Sequence, residues 1–359
     1  MRICLVHSEP ERLPRIQLEY QSLKNAGHDA YILSPKLRSR FKPKVLAALL
    51  RYSAFFLQAI CQRTDAYLVS NCPDIWGFAP VIRSKRWVYD VRSPWAEELR
   101  AFGHSWLVAW LAERIERYMT RHADIVLVVN KVLERRAKEW GARRVYMLPN
   151  YPPSDFRPTV PPDDFRKQQK LSGKKIVLFV GKFSEVECTL DLVKTLSDML
   201  KEEDDIVLVL AGDGPERPSI EKYLEAEKIV EKVLITGWLG HNAVPNWISI
   251  ADVCVLPRRE DMPSAKFYSP HSVRKVGEYL ALGKPVIATP VGEFAHSDLP
   301  ITVTPLSDFP AAIGKVLRVP PVVNNPVRFT WEQSEKALHD RSRENIVPIR
   351  FETGSFVLN

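Results

Sequence analysis

Short apolar runs alternate with longer amphipathic stretches from the second residue onward, and this rhythm restricts the chain to parallel sheet built from βα units. It predicts strands over Arg2–His7, Ala30–Leu33, Ala66–Ser70, Trp87–Val91, Ile125–Val129 and Val145–Leu148. Helices are expected between them, including Pro14–Ala26, Pro43–Gln62, Ser105–His122 and Lys131–Trp140, with Gly27 and Gly141 where a helix C-cap is wanted. The segment NYPPSDFRPT (150–159), followed by Pro161 and Pro162, breaks the rhythm. It then restarts with strands at Lys175–Gly181, Ile206–Ala211, Val233–Thr236, Val253–Leu256, Pro285–Ala288 and Ile301–Thr304.

Two doubly wound units follow, as the 359-residue length also suggests. The expected division is a first domain over 1–150, a Pro-rich linker over 151–170, a second domain over 171–320, and a helix and tail over 321–359. Five scattered cysteines form no CxxC pair and no metal-ligand spacing, and the first residues lack the apolar run of a signal peptide. A reduced, cytoplasmic setting is the expectation. Residues 1–150 carry 25 Lys and Arg against 14 Asp and Glu, an excess of +11, whereas the remainder is slightly acidic. An anionic surface is the natural partner of the first half.

The chemistry-bearing residues lie mostly in the second half. Gly181-Lys182 follows its first strand and Gly212-Asp213-Gly214 its second, so two glycine turns sit at the carboxyl ends of parallel strands, where open α/β sheets bind ligands. Glycines allow backbone amides close to an anion, and Lys182 supplies a compact charge; glycine also closes such turns for steric reasons alone. Further on, SPHSVRKVGEYLALGKPVIATP (269–290) places a Ser- and Pro-containing loop before a helix on which Lys275 and Glu278 are three residues apart. Lys275 with the Ser272, Val273 and Arg274 backbone suits a diphosphate, and Glu278 suits the vicinal hydroxyls of a ribose. The same spacing also fits an ordinary surface ion pair.

The 269–290 tract resembles the donor-site motif of the family 4 retaining glycosyltransferases, in the variant that runs Ser, two residues, Lys, two residues, Glu-Tyr and then a Gly-x-Pro-Val strand. Gly181-Lys182, Ala211–Pro215, Thr236-Gly237 and Ala251-Asp252-Val253 fall in that family's order. Residues 13–33 and 122–130 are similar to its opening helix and strand and to the strand before its domain linker. The resemblance implies an α/β fold of the GT-B type, two facing Rossmann-like doubly wound parallel-sheet domains with the acceptor in the first and the donor in the second. It implies transfer of a sugar from a UDP- or GDP-sugar to an acceptor hydroxyl with retention, needing no metal or other cofactor. Glu278 is assigned to the ribose, Lys182 and Lys275 to the diphosphate, the Gly212–Gly214 turn to the donor cleft, and Trp238 to the nucleobase.

Three positions depart from that pattern. Pro270 stands where members with the longer motif have a glutamate that contacts the donor sugar, and Glu187 and Cys188 stand where many have a second basic residue. The phosphate site is thus expected to have one charge fewer unless Lys266 or Arg274 substitutes. Arg92, in VYDVRSP (88–94), stands where a catalytic His often lies; it cannot act as a base but can stabilise phosphate charge or orient an acceptor. An alternative is therefore a catalytically weak or inactive nucleotide-binding protein on the same fold. The absence of GxGxxG after any strand counts against a dehydrogenase, and basic charge alone is little support for nucleic-acid binding.

Residues 36–61 open with six cations from Lys36 to Arg51 and continue into an apolar run too short and interrupted to span a bilayer. They fit either a peripheral contact with an anionic membrane or a helix buried on the first sheet. Peripheral attachment at the inner face of the membrane, with a lipid-linked or membrane-proximal acceptor, is the corresponding expectation.

Overall fold

A computed structural model describes residues 1–7, 14–34, 53–71, 78–83, 85–101, 103–262 and 264–336. They form two compact units, one of residues up to Asn150 together with those from Ser334 on, the other of Tyr151–Gln333.

The first unit comprises β1 (Arg2–Val6), α1 (Pro14–Asn25), β2 (Asp29–Leu33), α2 (53–60), β3 (Ala66–Ser70), α3 (Phe78–Ile82), β4 (Arg86–Val91), α4 (Trp95–Ala101), α5 (Trp106–His122), β5 (Ile125–Val128), α6 (Lys131–Glu139) and β6 (Val145–Met147). Its strands are nearly continuous runs of Ile, Val, Leu and Ala because both sheet faces are covered. All pairings are parallel, in the order β2-β1-β3-β4-β5-β6. The chain therefore reverses direction of winding between β1 and β3, and ligands bind at such points.

The second unit contains α7 (Pro162–Gln168), β7 (Lys175–Lys182), α8 (Thr189–Glu202), β8 (Ile206–Asp213), α9 (Arg217–Glu227), β9 (Val233–Ile235), α10 (Val244–Ile250), β10 (Val253–Leu256), α11 (Arg274–Ala281), β11 (Val286–Ala288), β12 (Ile301–Val303) and α12 (Phe309–Arg318). Its parallel order is β12-β11-β10-β7-β8-β9, with the switch point between β7 and β10. One core layer lies on each face of the sheet. Each predicted strand is present, and its ends differ from the expectation by a residue or two.

The segment expected to link the domains packs into the second unit. Tyr151, Phe156 and Phe165 are buried in its core, because the prolines are interleaved with aromatic side chains whose burial outweighs the polar spacing around them. Val323 and Phe329 join the same core, and the Trp331 amide donates to the Pro152 carbonyl at 2.8 Å. Of the segment 36–61, only 53–61 is described: Phe55 and Ala59 are buried and Leu57 is exposed. The basic lead-in, the first βα turn over 8–13 and the tail beyond residue 336 lie outside the described residues. No described helix is long and apolar enough to cross a membrane.

Candidate functional site

The carboxyl edge of the second sheet, at the β7/β10 switch point, gathers the ionisable groups. Gly181 and Lys182 end β7 in register with Gly212 and Asp213 of β8. The glycines are required by close approach. A Cβ on Gly212 would run into the Gly181 carbonyl oxygen, and one on Gly181 would lie 2.5 Å from Lys275 Nζ. The Asp213 carboxylate accepts from the Gly214 amide at 2.7 Å and from Arg217 at 2.8 Å, so one amide of the Gly212–Gly214 turn is already engaged.

Helix α11 brings its side chains to this edge. Its entry is a tight turn in which Ser272 Oγ accepts from the Ser269 amide at 3.0 Å and donates to the Ser269 carbonyl at 2.9 Å. No side chain caps the helix, which leaves first-turn amides for another acceptor. Tyr279 locks α11 to β7: the Val180 amide donates to its hydroxyl at 3.1 Å. Lys275 then projects over the Phe179 ring, 4.7 Å from its centroid, and donates to Glu187 Oε2 at 2.7 Å. The other Glu187 oxygen accepts from Arg258 Nη2 at 2.7 Å, and Arg258 stacks over Tyr268.

Two cations thus share one carboxylate in a largely buried cluster. Burial pushes the Glu187 carboxyl up, but Lys275 and Arg258 together outweigh it and hold it below the ordinary range. Burial pushes Lys275 down; Glu187 pulls it back up and Arg258 pushes it further down, with a net fall. The asymmetry follows from the count, since the anion sees two cations while each cation also sees another. Arg258 Nε is buried and has no hydrogen-bond partner among the described residues.

Glu278 is only 5% exposed and pairs with Arg274 Nε at 2.8 Å. Arg274 also meets His241 Nε2 at 2.7 Å. Burial pushes Glu278 up, against the pull of Arg274 and Lys275. The alternative of an ordinary surface pair between Lys275 and Glu278 does not hold. Side chains on a helix lean toward its N-terminus, so Glu278 lies over Arg274 one turn back while Lys275 reaches across to Glu187.

Residues 174–318, most of the second unit, match the family model for "Glycosyl transferases group 1". The match lies wholly within the second unit. Over 155 residues the chain is 29% identical to the alpha-D-kanosaminyltransferase of Streptomyces kanamyceticus, a match that spans 42% of this chain and 40% of that enzyme. The fold likeness extends over both units. Sucrose-phosphate synthase from Thermosynechococcus elongatus superimposes with a TM-score of 0.74 at 17% identity, over 96% of this chain and 99% of that one. Anabaena Alr3699/HepE, solved in complex with UDP-glucose, does so with 0.72 at 12% identity, over 96% and 100%. The chain therefore has a GT-B type fold, two Rossmann-like sheets in sequence.

Within the second unit, Gly181, Gly212, Lys275 and Glu278 are brought to one sheet edge. Lys182 is exposed at the end of β7, and its ammonium has no partner among the described residues. Trp238, after β9, is 68% exposed rather than buried in the core. Glu187 binds Lys275 directly, and the accompanying cation is Arg258 rather than Lys266, which is exposed, or Arg274, which holds Glu278. Arg258 was missed, although Pro257-Arg258-Arg259 directly follows β10 on the edge where ligands bind. Among the described residues, no group of three or more His, Cys, Asp or Glu is placed to hold a metal ion.

Arg92 sits in the first unit in a buried four-membered cluster. Its Nη2 donates to Glu19 at 3.0 Å and its Nε pairs with Asp90. Arg15 closes the ring, reaching Glu19 at 3.0 Å and Asp90 at 2.8 Å, and also donates to the Leu148 carbonyl at 2.9 Å. Burial would raise Asp90, but the two arginines hold it below its ordinary value, while burial and the neighbouring Asp90 push Glu19 up. Burial and the nearby Arg92 push His7, just past β1, down to about 4, with Asp90 opposing. Arg92 Nη1 is buried with no hydrogen-bond partner among the described residues.

Proposed function

We propose that the chain transfers a sugar from a nucleoside diphosphate sugar, UDP- or GDP-linked, to an acceptor hydroxyl with retention of anomeric configuration. The observation that carries this is the excess of cations at the β7/β10 edge. Lys275 and Arg258 share Glu187, and Lys182, exposed at the end of β7 with no partner among the described residues, adds a charge at the same strand end, which leaves enough positive charge for both charges of a diester diphosphate. Glu278, on the buried face of the same helix, is the acceptor for the ribose hydroxyls, and exposed Trp238 offers a face for the base.

In the transfer the bond between the anomeric carbon and the phosphate oxygen breaks with its electron pair going to the phosphate. The acceptor oxygen bonds to that carbon on the same face, and its proton leaves with a phosphate oxygen. Charge growing on the leaving diphosphate is met by Lys182, Lys275 and the uncapped first-turn amides at Arg274 and Lys275, preorganised by Tyr279 and the Ser269–Ser272 turn, in which the Val273 amide is held by the Ser269 carbonyl. Arg92 is assigned to the acceptor side, where its unpaired Nη1 is available to an oxygen. The acceptor is a lipid-linked or membrane-proximal glycan, in keeping with the +11 excess of residues 1–150.

A second reading, nucleotide binding without transfer, is favoured by one observation: Glu187 already occupies Lys275. A thermal-shift series of UDP, GDP and their sugars on the wild type and on Glu278→Ala separates the possibilities. A shift by one nucleotide that is lost in Glu278→Ala supports the site, and failure of both nucleotides to shift the wild type removes it. Binding without donor turnover over a broad acceptor panel would establish the second reading.

A further inference from the structure

Helix α5 turns an apolar face to solvent that no described part of the chain covers. Trp106 is 76% exposed and Leu111 52%, and Leu107, Val108 and Trp110 are exposed with them. A helix on the surface of a globular unit ordinarily shows water its polar side. The inward side of α5 is narrow, made by Ala109, Ala112, Glu116, Met119 and Thr120.

That orientation is held firmly. Glu116 accepts from the amides of Trp95 and Ala96 at 3.3 and 3.4 Å at the start of α4, and Arg136 lies 3.6 Å away. Arg100 binds Glu113 at 2.6 Å on the flank, and Ser105 caps the helix through the Val108 amide. Rotating α5 to hide its tryptophans would bury Arg114 and Arg117 and expose Met119, so the apolar face is a stable property of the fold.

The exposed stripe changes character along the helix. The first two turns carry the large apolar residues, and the next three carry Arg114, Arg117 and Arg121, with Tyr118 among them; the partly exposed acid there, Glu113, is paired with Arg100. Arg114 lies over the Trp110 ring, 5.2 Å from its centroid. We propose that this face docks the protein on an anionic bilayer surface, with Trp106, Leu107, Trp110 and Leu111 entering the headgroup boundary and the arginines meeting lipid phosphates. Charge complementarity selects this occupant. Lipid phosphates neutralise the arginines along the stripe and tryptophan favours the water–lipid boundary, whereas an antiparallel two-fold pairing at the apolar turns would leave the arginines of both copies without a counter-charge. The surface is on a different element from 36–61, and it stands whether or not the donor site transfers sugar.

The test is flotation of the full chain with vesicles of phosphatidylcholine alone or with phosphatidylglycerol added, without nucleotide or acceptor, so that its failure is separate from failure of the transfer reading. Wild type is expected to float with the anionic vesicles and much less with the neutral ones. Trp106→Ser/Trp110→Ser, on exposed positions that leave folding intact by circular dichroism, is expected to lower the partition coefficient at least tenfold. Arg114→Gln, Arg117→Gln and Arg121→Gln should each lower it about fivefold and flatten its salt dependence. Unchanged flotation of the tryptophan variant, or no flotation of wild type at low salt, overturns the proposal. So does a lipid-free dimer in light scattering that the tryptophan variant abolishes.

Discussion

The two units place charged clusters at equivalent edges of similar sheets and balance them differently. In the first, Arg15 and Arg92 face Asp90 and Glu19, two cations against two carboxylates, and most of their hydrogen-bonding capacity is used within the protein. In the second, Lys275 and Arg258 share Glu187, and Lys182 adds a further cation with no partner among the described residues. A neutral buried network holds a structure together, whereas an uncompensated cation excess is tolerable mainly where an anion will bind. On this difference we propose the second cluster as the binding site and the first as chiefly a brace, in which Arg92 Nη1 has no hydrogen-bond partner among the described residues.

The sharpest way to break this contrast is to remove one cation from each cluster. Arg15→Met leaves two buried carboxylates around one arginine and frees the Leu148 carbonyl, and should cost about 3–5 kcal/mol. Hydrogen exchange would show it as lost protection in β1 and β4 peptides with β7 and β8 unchanged; a cost under about 1 kcal/mol would deny the brace. Lys275→Ala removes a charged donor to the diphosphate and should weaken nucleoside diphosphate binding by about 1.5–3 kcal/mol, measured by calorimetry. Glu187→Gln should move affinity the other way, because the amide no longer competes as an anion for Lys275. If both variants weaken binding alike, Glu187 is part of the recognition rather than a competitor.

The fold was legible because parallel strands covered on both faces are written as apolar runs, and twelve of them stand out from the helices. The positions of Gly181, Gly212 and α11 at one edge were legible for the same reason, since strand ends and the helix that follows fix the edge. Pairing was not. Spacing on α11 put Lys275 beside Glu278, but the lysine's partner comes from the turn after β7 and its companion cation from the turn after β10, contacts of 88 and 71 residues' separation that periodicity does not carry. The division after Asn150 falls where the first domain was expected to end; the prolines of 151–170 suggested a linker because they hide that the aromatic residues among them are core of the second unit.

Acid should separate the units as well. His7 is buried beside Arg92 and its folded pKa lies near 4, below the unfolded value of about 6.5. Its contribution is present above the unfolded value and is lost as pH falls through the folded one, because the unfolded chain takes up the proton first. Between about pH 6.5 and 4 the first unit should lose on the order of 1–3 kcal/mol from this group. His7→Gln, whose side chain does not titrate, should flatten that part of the pH profile of β1 protection. An identical profile in the variant would remove His7 as the source of the loss, since Glu19, whose carboxyl is pushed up, acts with the opposite sign in this window and Asp90, whose carboxyl is held down, acts below it.

Trp238 offers the smallest effect and the finest distinction. At 68% exposure it contributes little packing, so Trp238→Ala should change stability by no more than about 0.5 kcal/mol. If its indole stacks on the base of the bound nucleotide, the same variant should lose about 0.5–1.5 kcal/mol of affinity for UDP or GDP while binding inorganic pyrophosphate as the wild type does. Lys275→Ala should weaken nucleotide and pyrophosphate alike. A Trp238 variant that loses affinity for both would place the indole near the phosphates, and one that loses neither would leave the base to a different surface of the second unit. Either outcome would keep the cation excess as the centre of the site while moving its outer edge.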